Sequence, residues 1–365
     1  IGGHMNIEEL WLGLCPIQNI HKIKLIEEFT SAKLLLEELL NNEKNFLSYP
    51  KLRNILLNTW KSDDLKRTID YINKENISFI TCENTNYNKN LHNLDLDRPY
   101  ILFYKGDINK LDNMTAAVVG SRNCTPYGAE ICKNIVKELV DLDINIISGG
   151  ALGIDTIAHR EALDRKGFTA AVLGSGINIL YPSINEKLLK KISEEGVLIS
   201  EFHLGTKPLP YNFPIRNRII SGLSDIVIVV EASESSGSCI TGRLGAEQGK
   251  DVFAVPGALT MKNSRGCNKL INEGAYIYLG PESFQNILDF RLKWCKKKKS
   301  MENPTKHSAL EESILAFISN KPVHIDEILS HTCIDIDVLY SILFEMQLKE
   351  EIINLSGSFY ARIIN

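Results

Sequence analysis

With 365 residues, of which 44% are hydrophobic and 24% charged, the chain has the composition of a globular protein with two or three domains. Its net charge of -4 at pH 7 excludes a surface that is basic throughout, so a nucleic-acid site must be a local concentration of Arg and Lys. Eight cysteines without a Cys-x-x-Cys pair disfavour a zinc site and a redox motif, and we expect neither a metal nor a cofactor.

The first 75 residues are predicted to be mostly helical. Residues 1–4 resemble the remnant of an expression tag before Met5. Between residues 5 and 75 apolar residues recur at helical spacing, which predicts a small helical domain of the SAM-like kind. No apolar run approaches the roughly 18 residues that a membrane span needs, so we expect a cytoplasmic protein without a membrane contact.

The next predicted domain, residues 76–290, begins with strand-like runs at 77–82 and 100–105. Between residues 114 and 279 short apolar runs alternate with helical segments, which is typical of parallel strands joined by crossover helices. The runs are nearly all apolar, as expected when helices cover both faces of a sheet. The predicted strands are 77–82, 100–105, 116–119, 145–147, 169–173, 197–199, 226–230, 252–255 and 276–278. We therefore predict an α/β domain with a doubly wound, Rossmann-like parallel sheet, whose ligand lies at the carboxyl ends of the strands.

The C-terminal part begins with a basic and then turn-rich stretch, 291–308, which we interpret as a linker. Residues 309–365 show three helical segments and a β-hairpin, which together predict a winged-helix domain. This domain is acidic, with Lys321, Lys349 and Arg362 as its Lys and Arg residues. Because DNA is also negatively charged, we expect this domain to contribute little to DNA binding.

Glycine turns follow three neighbouring strands of the predicted sheet. The first strand leads into Gly120, Ser121 and Arg122, the second ends in Ser148, Gly149 and Gly150, and a third turn spans 174–176. Glycine lets a phosphate approach the backbone, helix-start amides attract anions, and an Arg guanidinium can bind phosphate oxygens in a bidentate way. A single such turn can simply allow a tight connection, whereas the three together predict a cradle for several phosphates.

An aromatic and basic cluster follows the Pro-rich stretch that contains Lys207. It consists of Phe213, Arg216 and Asn217. Rings can stack on bases while cations bind the backbone, which is how single strands are bound without strict sequence recognition. Core packing of Phe213 and ion pairing of Arg218 are the alternatives, and Arg216 and Arg218 should point in different directions.

Residues 236–241 form a Ser/Gly/Thr-rich segment at a predicted helix start, with Ser236, Gly237, Ser238 and Thr241 as candidate anion ligands. The glycine spacing is that of a P-loop, but residues 243 and 244 are Arg and Leu where Lys and Ser or Thr are required, so ATP hydrolysis is not expected.

Another pair, Asp155 and His159, has the spacing of one helix face. We interpret it as a capping carboxylate with a packed histidine, not as a catalytic pair.

The sequence resembles the DNA processing protein A (DprA/Smf) family in seven segments. They are VVGSRNCTPYG (118–128), SGGALGID (148–155), LGSGINILYP (173–182), SEF (200–202), FPIRNRIISGLSD (213–225), VVEASESSGSCIT (229–241) and AVPG (254–257). The resemblance implies a helical N-terminal domain, an extended Rossmann fold that binds single-stranded DNA and forms a homodimer, and a winged-helix C-terminus. It also implies a non-catalytic protein that loads the RecA recombinase in natural transformation or recombination.

The resemblance also implies a DNA site by position. That site would consist of Gly120, Ser121, Arg122, Ser148, Gly149, Gly150, Phe213, Arg216 and Asn217, with Ser236, Gly237, Ser238 and Thr241 near the phosphates. At the third position before Phe213, where family members often carry Lys or Arg, this chain has Pro210. Lys207 is the candidate to replace that charge.

Two alternative functions fit the same predicted folds. Nucleotide phosphoribohydrolases of the lysine decarboxylase-like group share the α/β fold, but Leu244 stands where their catalytic Glu belongs, which leaves no evident acid or base for glycosidic cleavage. A transcription regulator that acts through the winged helix is the other alternative.

Overall fold

The computed structural model describes residues 6–41, 46, 49–280, 283–284, 309–318, 322–332, 334–348, 351–355 and 357–362. The chain divides into two compact units, Ile1–Asn286 and Ile287–Asn365, which we call the α/β unit and the winged-helix unit. The predicted tag remnant (1–4) and the predicted linker (291–308) lie outside the described residues.

The α/β unit begins with five helices, as the apolar spacing predicts. They are α1 (Ile7–Leu14), α2 (Asn19–Phe29), α3 (Ala32–Asn41), α4 (Pro50–Trp60) and α5 (Asp63–Lys74). Trp11 is fully buried between them, and its Nε1 donates a hydrogen bond to the Leu56 carbonyl at 2.9 Å. The buried residues of these helices belong to the same apolar cluster as Phe103 and Leu189 of the sheet region, so the helices and the sheet share a core.

A nine-stranded sheet forms the centre of the unit, in the order β1-β2-β6-β5-β4-β3-β7-β8-β9. The strands are β1 (Ser78–Thr81), β2 (Ile101–Gly106), β3 (Thr115–Val119), β4 (Asn145–Ser148), β5 (Thr169–Val172), β6 (Val197–Ser200), β7 (Ile226–Val229), β8 (Asp251–Ala254) and β9 (Tyr276–Ile277). Strand β2 runs antiparallel to β1 and β6, and every other neighbouring pair is parallel. The predicted parallel α/β sheet is confirmed.

Helices connect the parallel strands and cover the sheet, so β3 to β7 are buried along their whole length. Helix α6 (Lys89–His92) lies between the antiparallel strands β1 and β2, and the connecting helices are α7 (Pro126–Asp141), α8 (Ile154–Asp164), α9 (Glu186–Glu195), α10 (Asn212–Leu223), α11 (Gly237–Glu247) and α12 (Lys262–Asn272). Strand order reverses at β3, which has β4 on one side and β7 on the other. The loops after these strands therefore meet at the carboxyl edge, where such folds bind ligands.

The winged-helix unit contains α13 (Ala309–Phe317), β10 (Val323–His324), α14 (Ile325–Thr332), α15 (Ile336–Leu348), β11 (Ile352–Leu355) and β12 (Phe359–Arg362). Its three strands form an antiparallel sheet in the order β10-β12-β11. The core includes Ile328, Leu339, Leu343 and Tyr360. Three helices with a β wing make the predicted winged helix. In the described parts of both units, no helix has the length and apolarity to cross a membrane.

Candidate nucleic-acid interface

The loop after β3 carries one exposed cation on a tightly packed backbone. A Cβ atom at Gly120 would lie 2.6 Å from a side-chain carbon of Ile154, so only glycine fits. Thr125 caps α7, since its Oγ1 accepts a hydrogen bond from the Gly128 amide at 3.1 Å. Between these positions Ser121 is half-buried and Arg122 is exposed. The loop thus places Arg122 at the carboxyl edge.

A buried carboxylate holds the loop after β4. Oδ2 of Asp155 accepts hydrogen bonds from the amides of Gly149 (3.1 Å) and Ala151 (3.3 Å), which precede α8; the N-cap of that helix is Gly153, so Asp155 holds the loop and the predicted helix-capping role is wrong. Gly150 has φ +68°, a left-handed conformation that favours glycine. The Ser148 hydroxyl is buried and donates to the Val118 carbonyl of β3 at 2.7 Å, so it joins strands instead of facing solvent.

Arg216 supports this loop from below, which corrects its expected position in the DNA site. The side chain is 3% exposed, and it donates hydrogen bonds to the carbonyls of Gly149 (2.8 Å) and Val172. Burial lowers the pKa of Arg216 to about 10 while the charge of Asp155 opposes that shift, so the guanidinium stays protonated at neutral pH. The buried guanidinium of Arg216 therefore stabilises the loop, and its carbon lies 5.9 Å from the ring centroid of Phe213.

The exposed aromatic and basic residues of this edge form a single surface. Phe213 is half-buried, and a Cβ at Gly174 would come within 2.7 Å of its ring, so the third glycine turn is where the ring rests. The guanidinium carbon of Arg122 lies 5.4 Å from the ring centroid of Phe213, and the ring of Tyr181 lies 5.9 Å from it. We call Arg122, Tyr181 and Phe213 the stacking surface.

Tyr181 is a site candidate that the sequence reasoning missed. It is 43% exposed and stands at the end of the LGSGINILYP segment. An aromatic residue following the third glycine turn was the available signal, because the carboxyl ends of parallel strands share one edge of the sheet.

The start of α11 is built from polar side chains that bond mostly to one another. The Ser236 hydroxyl accepts from the Cys239 amide at 3.3 Å and lies 2.9 Å from the Ser238 hydroxyl. Asn217 and Thr241 are buried, and both donate to the Gly237 carbonyl, at 3.1 and 3.2 Å. The side chains of Asn217 and Thr241 therefore hold the helix start from inside, and the predicted DNA contact of these two residues stays a prediction.

Two further cations, Lys207 and Arg218, come from the sequence segments on either side of Phe213. Lys207 is exposed, and its carbonyl accepts a hydrogen bond from Asn212 Nδ2 at 3.1 Å. Arg218 forms an ion pair with Glu201 at 2.5 Å, which was the alternative to a ligand role for this residue. As predicted, Arg216 and Arg218 point in different directions.

Two buried residues of this region are structural. His159 is fully buried, and its Nδ1 lies 2.7 Å from the Thr169 hydroxyl. Burial lowers its pKa to about 3, so the imidazole is neutral. Glu231, at the end of β7, accepts hydrogen bonds from the amide and hydroxyl of Thr125 at 2.8 and 2.5 Å. The predicted packed histidine is confirmed. Within the described ranges, no group of three or more His, Cys, Asp or Glu could hold a metal ion.

Comparison with known proteins gives matches along most of the chain. A family model described as DNA recombination-mediator protein A matches residues 78–290, and one described as DprA winged helix domain matches residues 298–358. Protein Smf of Escherichia coli K12 is 35% identical over 297 residues, which span 78% of this chain and 76% of the relative.

Two solved structures are similar as well. DNA processing protein A from Streptococcus pneumoniae has a TM-score of 0.66 and 31% identity, over 78% of this chain and 98% of that one. DNA processing protein A from Helicobacter pylori has a TM-score of 0.53 and 33% identity, over 58% of this chain and 95% of that one. The Helicobacter pylori structure is described for its single-stranded DNA binding mode.

Proposed function

The chain belongs to the DNA recombination-mediator protein A family, and on that premise we propose that it is a non-catalytic, cytoplasmic protein that binds single-stranded DNA and loads RecA on it. The relative from Helicobacter pylori, described for its single-stranded DNA binding mode, supports the choice of ligand.

The stacking surface is the observation that carries this proposal. The exposed guanidinium of Arg122 lies over the half-exposed ring of Phe213, beside the exposed ring of Tyr181. Rings with accessible faces can stack on unpaired bases, which a duplex does not offer, while a neighbouring cation binds phosphate. This pairing of aromatic faces with a cation favours single strands over duplex DNA.

The loops at this edge can offer backbone amides to the strand. The space of a Cβ at Gly120 and at Gly149 is filled by protein side chains, so these two glycines serve packing, whereas Gly237 is open to 3.6 Å and lies at the start of α11, where amides attract anions. Arg122, Lys207 and the amides of these loops can together provide roughly two to four phosphate contacts for each protomer.

The carboxylates at this edge support a non-catalytic role. Asp155 and Glu231 are buried and accept hydrogen bonds from the backbone, so neither is placed to exchange a proton with a ligand. Leu244 stands where the phosphoribohydrolase group has its Glu.

The homodimer and the contact with RecA are parts of the same proposal. Strand β9 lies at the edge of the sheet and exposes Tyr276 and Ile277, followed by the exposed Leu279. An exposed apolar edge strand is suited to pairing with another copy. Ile277→Lys is expected to convert the dimer to a monomer in sedimentation experiments. RecA loading is tested by whether the protein speeds RecA filament growth on DNA coated with single-strand-binding protein.

A titration with single-stranded DNA, duplex DNA and a panel of nucleotides tests the ligand. We expect a preference for single strands and a log–log salt slope of roughly -1.5 to -3, at about 0.7 for each phosphate contact. Equal affinity for duplex DNA, or tight nucleotide binding without DNA binding, would overturn the proposal.

A further inference from the structure

Helix α15 of the winged-helix unit exposes a row of apolar side chains. Ile336, Tyr340 and Phe344 are 43%, 47% and 61% exposed, and their spacing of four residues aligns them along one side of the helix. The inward side is separate, since Leu339 and Leu343 are fully buried in the core of the unit. We call the three exposed residues the α15 row.

The sheet next to this helix is also apolar on its exposed side. Leu355 and Phe359 are directly opposite each other in the β11–β12 pair, and both are exposed, as is Ile353 two residues away. Tyr360 of β12 is buried in the same core as Leu339 and Leu343, so α15 packs on one face of this sheet, and Phe359, the preceding residue, points to the other face. The solvent side of an antiparallel sheet is ordinarily polar, so this surface has the character of an interface.

The negative charge of the winged-helix unit restricts which kind of partner can bind to this surface. Residues 309–365 contain nine Asp or Glu and three Lys or Arg. Asp326 and Glu327 are exposed in the first turn of α14, and Arg362 ends β12. A polyanion or a second copy of this unit would meet charge of its own sign, whereas a cationic protein segment would be attracted.

We propose that the α15 row is a docking site for a basic amphipathic helix of a partner protein. Apolar side chains of that helix, spaced by three or four residues, would cover Ile336, Tyr340 and Phe344. Its Lys and Arg residues would be attracted by the net negative charge of residues 309–365. Phe344, as the most exposed aromatic of the row, is the expected main anchor. The site is distinct from the stacking surface and does not depend on DNA binding there.

The test uses the full chain and a fluorescein-labelled helical peptide of 18 residues, with Leu on one face and Lys on the other. We expect the peptide to bind, with an affinity that falls as salt rises, and Phe344→Asp to weaken binding at least tenfold. Tyr340→Ala, which introduces no charge, should weaken it three- to tenfold. Leu259→Asp, at an 81% exposed position of the α/β unit, is the matched control and should bind like the wild type. Thermal melting of each variant shows whether it folds. If Phe344→Asp does not fold, the peptide affinity of Tyr340→Ala tests the proposal.

Several results would overturn the proposal. Equal binding of a matched Leu and Glu peptide would mean unspecific apolar contact. Unchanged peptide binding by Tyr340→Ala and Phe344→Asp would mean that the row is not the site. Self-association or duplex DNA binding that Phe344→Asp abolishes would assign the row to a second copy or to DNA. If replacing the four lysines at 296–299 with Gln strengthened peptide binding tenfold or more, this basic stretch of the chain itself would be the occupant of the α15 row.

Discussion

The carboxyl edge of the α/β sheet and helix α15 of the winged-helix unit are the places where each fold ordinarily meets a ligand, and they carry opposite chemistry. At the sheet edge an exposed cation, Arg122, lies over the ring of Phe213. On α15 the exposed side chains are Ile336, Tyr340 and Phe344, in a unit with an excess of carboxylates. Fold analogy would assign DNA to both places, whereas we propose DNA binding at the sheet edge alone.

The stacking surface and the α15 row are supported by different kinds of buried residue. The stacking surface depends on buried polar residues, because Asp155 and Arg216 hold the loop next to it. The α15 row rests on an apolar helix core instead. The predictions below test this contrast, beginning with the largest effect.

Removing the buried carboxylate should be the most damaging change. We expect Asp155→Ala to lower the free energy of unfolding by about 3–5 kcal/mol, because it leaves the amides of Gly149 and Ala151 without their acceptor and removes the negative charge that favours the buried guanidinium of Arg216. Urea unfolding of the full chain, followed by circular dichroism, measures this. Asp64→Ala, which breaks the exposed pair with Arg67, is the control and should leave stability unchanged. A similar result for both variants would show that the buried charges do not hold the edge.

Removal of the Phe213 ring should have the second-largest effect. Phe213→Ala is expected to reduce single-stranded DNA affinity by about 1–3 kcal/mol, because a stacked base loses its platform. The salt slope should stay nearly unchanged, since no phosphate contact is removed. Fluorescence anisotropy at several salt concentrations gives both quantities. If melting curves show that the variant unfolds, the ring belongs to the core and the stacking role is wrong.

Removal of the Arg122 guanidinium should change both the affinity for DNA and its dependence on salt. Arg122→Ala is expected to weaken binding roughly tenfold, about 1.4 kcal/mol, and to flatten the salt slope by about 0.7. Arg160→Ala removes an exposed Arg of α8 away from the loops and should change neither quantity. A slope that is the same for wild type and Arg122→Ala would contradict the phosphate contact.

The smallest effect is expected from removing the whole winged-helix unit. A chain that ends at Asp289 should keep its single-stranded DNA affinity within tenfold of the full chain, because that unit repels polyanions. The same anisotropy titration measures it. A loss of tenfold or more, about 1.4 kcal/mol, would place part of the DNA site in the acidic unit and end the contrast between the two surfaces.

The local pattern of apolar and polar residues was sufficient to predict the helices, the strands and the glycine loops at the carboxyl edge of the sheet. The apolar runs at 116–119 and 145–147 became β3 and β4, and the hairpin and helices of the winged helix lie where periodicity predicts them. The packing of His159 also followed from spacing, whereas Asp155 bonds to the loop before α8 and does not cap the helix. These features depend on neighbours along the chain, so the sequence by itself determines them.

Tertiary structure alone decided which side chains of that edge reach the surface. Arg216, Asn217 and Thr241 point inward, because α10 lies across the carboxyl ends of β4 and β5 and beside the start of α11. Arg122, Tyr181 and Phe213 come from three separate segments that only the strand order brings together. The first five helices join the core of the sheet for the same reason. Such contacts link residues far apart in sequence, and helical or strand periodicity carries no information about them.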